Sequence, residues 1–131
     1  MRPVPVGAKG THSITVGADD LASKLDPALA RVMSTPTMIG TMELAAIDAI
    51  RSYYDAGETS VGAGIEVQHT AATPPGHKVR AEAEVTKSEG RRLEFKVSAF
   101  DEVEQIGSGV HRRAVIDAGK FNDRLKAKVK S

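Results

Sequence analysis

The stretch from Thr35 to Gly57 reads as a helix that is apolar around most of its circumference, and few folds can house such a helix. Met38, Met42, Ala45, Ala49 and Tyr53 recur at threes and fours, the spacing of one helix face. The polar side is narrow, with little more than Thr41, Asp48, Arg51 and Ser52. A helix of this kind is wrapped by something rather than laid on a surface. Its ends are marked. Thr35 can cap with its hydroxyl, Pro36 suits the first helical position, where its missing N–H costs nothing, and Gly57 supplies a stop.

The wrapper follows in the sequence. Residues 61 to 70 alternate like a half-buried strand, and the Ala71-Ala72-Thr73-Pro74-Pro75-Gly76 run breaks it. Val79, Ala81, Ala83 and Val85 then alternate with charged residues, and Leu93, Phe95, Val97 and Ala99 alternate with Glu94, Lys96 and Ser98. Gly90 marks a hairpin turn between these two strands. A turn at 101–105 leads to a last strand at 106–116. Ahead of the helix, residues 11–17 read as an opening strand, and Pro27 interrupts any long helix in the connecting segment. Strands with one solvated face pair antiparallel. The expected class is α+β: an antiparallel sheet of five to six strands wrapped around one long central helix. A single domain spans residues 1–131, with its core over about 11–118 and a basic tail or short helix at 119–131. The open edges of such a sheet point to a homodimer, joined through an edge strand or helix face.

Composition narrows the function classes. Eighteen basic and seventeen acidic residues are interleaved, so no strong field points to nucleic acid or to an anionic membrane. Lys120, Arg124, Lys126, Lys128 and Lys130 read as a solvated terminal face rather than a phosphate site. Without cysteine, disulfides and thiolate chemistry are excluded. No two histidines share a metal-ligand spacing, so no metal site is expected. No window approaches a membrane span, and the expected address is cytoplasmic.

Two residues break the apolar pattern. Glu43 falls between Ile39 and Ile50 on one side of the helix and Ile47 and Tyr54 on the other. A glutamate there costs several kcal/mol unless it is neutral or partnered. His69 ends the alternating row Val61, Ala63, Ile65, Val67 at a strand end, a place that favours a pocket rim. An acid and a base on apolar faces are the raw material of general acid/base chemistry. The plainer reading of Glu43 is an ion pair with Arg113 or Arg92, or a place at a dimer seam. Thr35 adds a hydroxyl at a helix N-terminus, where free N–H groups suit a carbonyl oxygen that becomes negative. His12, His77 and His111 have no comparable setting.

Three blocks, in order and spacing, resemble the fluoroacetyl-CoA thioesterase-like family of hot-dog fold acyl-CoA thioesterases. They are Ser34-Thr35-Pro36-Thr37-Met38 through Met42-Glu43-Leu44-Ala45-Ala46, Ser60-Val61-Gly62 through His69-Thr70-Ala71-Ala72-Thr73-Pro74, and Phe100-Asp101-Glu102 through Val115-Ile116-Asp117. The resemblance implies that Thr35, Glu43 and His69 act together in catalysis. It implies that Gly62 lines the acyl pocket and that Arg113 belongs to the site, and Met38 and Met42 are expected to set pocket depth. The implied reaction is hydrolysis of a short- or medium-chain acyl-CoA to free acid and coenzyme A, with no cofactor beyond the coenzyme A carried by the substrate. Members specialised for fluoroacetyl-CoA carry phenylalanines in a lid ahead of the helix. Here that region, Leu25-Asp26-Pro27-Ala28-Leu29, has no aromatic residue, so fluoroacetyl selectivity is not implied. Two other readings belong to this fold: an enoyl-CoA hydratase or dehydratase, and a non-catalytic acyl-CoA-binding protein. The former usually shows an aspartate and a histidine a few residues apart on one loop, and this chain has no such pair.

Overall fold

Alternation builds the sheet. In the computed structural model, which describes residues 1–130, β1 spans Lys9–Thr15, β2 Glu58–His69, β3 Lys78–Glu89, β4 Arg92–Phe100 and β5 Gln105–Asp117. Val79, Ala81, Ala83 and Val85 of β3 and Leu93, Phe95, Val97 and Ala99 of β4 are all buried. Their charged neighbours take the other face. Glu89 pairs with Arg92 across a two-residue turn, and Gly90 supplies its positive φ of 63°, a conformation that glycine adopts at little cost. The spatial order is β1-β3-β4-β5-β2, and every pairing is antiparallel. The sheet has five strands, and its first lies two residues earlier than its pattern suggests.

Among the described residues three α-helices join it: α1 (Ala22–Leu25), α2 (Thr35–Ile50) and α3 (Ala118–Lys130). α2 lies across β1 and β3 far more than across β5 and β2. Met38, Met42, Ala45, Ala46, Ala49 and Ile50 form its buried face. Full burial of Met38, Met42 and Phe95 stabilises by about 1.5–3 kcal/mol each. The closest approach is at Gly10 of β1, where an added Cβ would fall 2.3 Å from the Ala45 carbonyl oxygen and 2.3 Å from the Ala49 nitrogen. Only glycine lets helix and strand sit this close.

The long helix is shorter than its periodicity suggests. It stops at Ile50, one 3₁₀ turn covers Arg51–Tyr53, and Tyr54 is extended. The N-terminal residues pack against this turn. The Arg2 amide donates to the Tyr53 carbonyl at 2.9 Å, and the Arg2 guanidinium bonds the Ser52 carbonyl, so the last carbonyls of the turn find partners outside the helix. The Met1 ammonium meets Asp55 at 2.6 Å and Glu58 at 3.1 Å. Gly57, at φ 80°, turns the chain into β2 and does not end the helix. The basic C-terminal segment is helical, as α3. No helix among the described residues is long and apolar enough to cross a membrane.

Candidate active site

The site begins at the start of α2. The N-cap is Ser34, not Thr35: the Ser34 Oγ accepts from the Thr37 amide at 3.2 Å and donates to the Thr37 Oγ1 at 2.9 Å. Thr35 is the first helical residue and Pro36 the second. The cap is satisfied one residue earlier, which frees the Thr35 side chain. Its Oγ1 lies 2.9 Å from the His69 Nδ1. The first-turn amides are largely spent as well. Thr37 N–H goes to the Ser34 Oγ, Met38 N–H to the Ser34 carbonyl at 3.1 Å, and Pro36 has none. The Thr35 N–H therefore remains without an acceptor among the described residues, at the positive end of the helix dipole.

His69 is the last residue of β2. The loop beyond it is tied down: Thr70 N–H donates to the Ile106 carbonyl at 2.8 Å, and the Thr73 carbonyl accepts from Met33 at 2.8 Å. The buried Thr73 hydroxyl donates to Asp101 at 2.9 Å. Burial would raise the Asp101 carboxyl, but the Val103 and Glu104 amides and the Thr73 hydroxyl outweigh it and hold the group below its ordinary range. A cleft of about 300 Å³ opens here, with Thr35, His69, Thr70, Val32 and Ala22 among its walls. The His69 Nε2 is buried and has no hydrogen-bond partner, a condition that costs about 1–3 kcal/mol when a polar atom stays unmatched. The segment ahead of the helix, which carries α1, is closed at its base by Leu21 pairing with Met33, and its Leu25 and Leu29 are exposed.

Glu43 lies in a second cluster. Eight residues separate it from Thr35, about 12 Å along the helix axis, and among the described residues it forms no hydrogen bond or ion pair with Thr35 or His69. The acid and the base of the sequence do not meet in one copy of the chain. Instead the Glu43 Oε2 accepts from the Arg113 Nη1 at 2.9 Å, and the carboxyl is 38% exposed. Of the two ion-pair partners considered for it, Arg113 is the one used. Arg113 is buried, and its Nε and Nη2 donate to the Ser60 Oγ at 2.9 Å and the Ser60 carbonyl at 3.0 Å. Tyr54 donates to the same Ser60 Oγ at 2.7 Å. His111, dismissed on sequence grounds, belongs here too. It is 2% exposed and its Nε2 lies 3.2 Å from the Arg113 Nη1 and 3.9 Å from the Glu43 Oε2. Burial chiefly pushes the His111 imidazole below its ordinary value, with the Arg113 charge adding to the shift and the Gly64 carbonyl and Glu43 opposing it.

A bulge explains why the strand pattern misleads here. The β2–β5 register shifts between Gly62 and Gly64, so Ser60 and Gly62 turn toward the helix, while Val67 and His69 do so only beyond the extra residue. The row Val61-Ala63-Ile65-Val67-His69 is not one face. At Gly62 an added Cβ would fall 2.9 Å from the Glu43 Oε2, so the missing side chain makes room for the carboxylate. Met38 and Met42 are fully buried in the layer between helix and sheet. Among the described residues, no group of three or more His, Asp or Glu side chains is arranged to hold a metal ion.

The curled antiparallel sheet, the helix crossing it and these polar clusters define a hot-dog fold protein of the thioesterase type. The model of the fluoroacetyl-CoA-specific thioesterase family matches residues 16–119. The fluoroacetyl-CoA thioesterase of Streptantibioticus cattleyicolor is 43% identical over 129 residues, which cover 94% of this chain and 93% of that protein. A threonine-to-alanine mutant of a fluoroacetyl-CoA thioesterase, solved with fluoroacetate, superposes with a TM-score of 0.90 at 42% identity, covering 95% of this chain and 98% of its own. A hypothetical protein of Thermus thermophilus, described as a thioesterase superfamily member, superposes at 0.89 with 30% identity, over 99% of this chain and 98% of its own. This chain belongs to the fluoroacetyl-CoA-specific thioesterase family.

Proposed function

We propose that the protein hydrolyses a short- or medium-chain acyl-CoA thioester to the free acid and coenzyme A, with Thr35, Glu43 and His69 as its catalytic residues. The His69 ring carries this reading. Its Nδ1 is matched by the Thr35 hydroxyl, while its Nε2 is buried and unmatched beside a cleft at the start of α2. In that cleft the thioester carbonyl oxygen meets the free Thr35 N–H, which stabilises the charge that grows there on attack. Glu43 engages Arg113 through Oε2, and its Oε1 has no hydrogen-bond partner among the described residues, so Oε1 takes the proton from the attacking water. The C–S bond breaks as the tetrahedral intermediate collapses, and His69 delivers a proton to the departing sulfur.

The 12 Å between Glu43 and Thr35 supports a homodimer. β2 is an edge strand of twelve residues. Pairing it antiparallel with a second copy sets the Glu43 of one copy toward the cleft of the other. Gly62 and Arg113 shape and hold the Glu43 side of that composite site, with no cofactor required. The segment ahead of the helix carries exposed Leu25 and Leu29 and no aromatic residue, so the acyl group is expected to be a plain short or medium chain.

The test is release of free thiol from an acyl-CoA panel running from acetyl and fluoroacetyl to octanoyl and aromatic, together with the solution mass. Hydrolysis of at least one short or medium chain by a dimer is expected. Tight binding with no thiol released over hours would refute the enzyme reading. Loss of an enoyl-CoA's conjugated absorbance would replace it with a hydratase. In heavy-oxygen water, label appearing in Glu43 after one turnover would mean direct attack by the carboxylate instead of the water route.

A further inference from the structure

We infer that His111 is a positioning residue for the reaction: as a neutral ring protonated on Nδ1, it supplies the acceptor that aims the Arg113 guanidinium at Glu43. The inference rests on the role given to Glu43 above. It follows from hydrogen-bond roles alone. The His111 Nδ1 lies 2.8 Å from the Gly64 carbonyl oxygen, and a carbonyl can only accept, so Nδ1 carries the proton. Nε2 of a neutral ring is then a lone pair. It faces the Arg113 Nη1 at 3.2 Å, a group that can only donate. The roles fit without strain, and they leave no freedom for the other tautomer.

The surroundings fix the ring in this state. Phe95 of β4 stacks against it at 6.0 Å between centroids. The Gly64 carbonyl on the β2 bulge takes its proton, so the bulge that swaps the strand's faces also sets the tautomer. The charged groups facing it are Arg113 from its own strand and Glu43 from α2. From β4 the uncharged Phe95 faces it, and the nearby Glu94 is engaged with Arg112. Arg113 Nη1 is thereby held between two acceptors, the His111 Nε2 and the Glu43 Oε2, while Nε and Nη2 are held by Ser60. Among the described residues Glu43 is tied through Oε2 alone, and the direction of its other oxygen depends on this chain of contacts.

Protonation of His111 breaks the arrangement. Nε2 then becomes a donor aimed at another donor, with two cations 3.2 Å apart. The Glu43 Oε2, 3.9 Å away, is the nearest anion for the new imidazolium. The carboxylate then changes partners and moves.

The experiment is a pH profile of kcat and KM with the acyl-CoA that the wild-type protein hydrolyses. It uses His111→Gln, which keeps an acceptor for Arg113, and His111→Asn, which keeps a donor for Gly64 and loses that acceptor. The Asn variant is expected to lose about 10- to 100-fold in kcat with KM little changed, the scale of a misplaced catalytic group. The Gln variant is expected to keep kcat within about threefold and to lose one acidic inflection of the profile. Equal activity and unchanged profiles in both variants, alongside an inactive Glu43→Gln, would overturn the role of His111 and leave that of Glu43 standing. An active Glu43→Gln would instead overturn the reading of Glu43. Should the variants not fold, nitrogen NMR of the wild-type histidines decides: an Nε2-protonated His111 at neutral pH overturns the inference.

Discussion

Replacing Glu43 by glutamine separates chemistry from architecture. The amide keeps the length of the side chain and offers a carbonyl oxygen to Arg113 Nη1 at the 2.9 Å seen for the carboxylate, but it removes the charge. At that separation a pair of unit charges is worth about 6 kcal/mol before any offset, taking an effective dielectric constant of about 20. Glu43 is 38% exposed, so water screens the pair, and the retained hydrogen bond recovers a further share, leaving a net loss of about 1–2 kcal/mol. A chain of this length unfolds with an entropy of about 0.28 kcal/mol/K at its midpoint, so the midpoint falls by about 4–7 °C. Such a protein remains folded at room temperature. Its hydrolytic rate should nevertheless fall by about 10²- to 10⁴-fold, the scale of a positioned acid or base. Thiol release at room temperature and a thermal melt on the same sample check both halves. A rate within about threefold of wild type refutes the role of Glu43. A midpoint lowered by more than about 15 °C refutes the electrostatic argument, because only an unscreened buried cation costs that much.

Three further outcomes follow from the geometry. Thr35→Val removes the hydroxyl 2.9 Å from His69 and keeps the shape, so kcat should fall by about tenfold or more with the melt little changed, whereas Thr35→Ser should retain most of it. Gly10→Ala drives a methyl group into the α2 backbone at 2.3 Å, so the helix must shift; chemical denaturation should show a loss of about 1–3 kcal/mol or more, and an unchanged midpoint would refute the packing described. His111 lowers stability in acid. Its folded value lies below the ordinary 6.5 that it regains on unfolding, so between the two the unfolded chain holds more protons. Stability is therefore free of this effect above about pH 6.5 and falls as pH drops through that window, and melts from about pH 8 to 5 should show a shallower acid loss for His111→Gln than for wild type.

Much of the fold is legible residue by residue. Val79 to Val85 and Leu93 to Ala99 alternate, and each ends up with its apolar set buried. Met38, Met42, Ala45 and Ala49 repeat at helical spacing and face the sheet. The candidate residues stand out in the sequence, and their arrangement does not. Thr35 and His69 do meet. Glu43 was marked by its apolar neighbours, and its partner Arg113 is as far as 70 positions away in the chain. His111 shares a strand face with Arg113 and Val115, two places apart each, and that parity was the one signal for it. Ser34 was hidden behind a threonine equally able to cap, and which of the two does so depends on a single backbone turn.

Local patterns are enough to determine the elements, because a strand or helix needs only a run of side chains that repeat with its own period. By itself the sequence therefore determined one central helix, an antiparallel sheet to cover it, and an acid and a base out of place on apolar faces. Tertiary structure decided who meets whom. The bulge at Gly62–Gly64 exchanges the faces of β2 halfway along, and no periodicity announces it. The N-terminal residues bond the carbonyls of the turn that follows α2. The axial rise of the helix keeps Glu43 away from His69 and gives it to Arg113, with a buried histidine behind. Hydrogen bonds between distant strands are made by whatever the fold brings within about 3 Å, and a linear pattern holds no record of that distance.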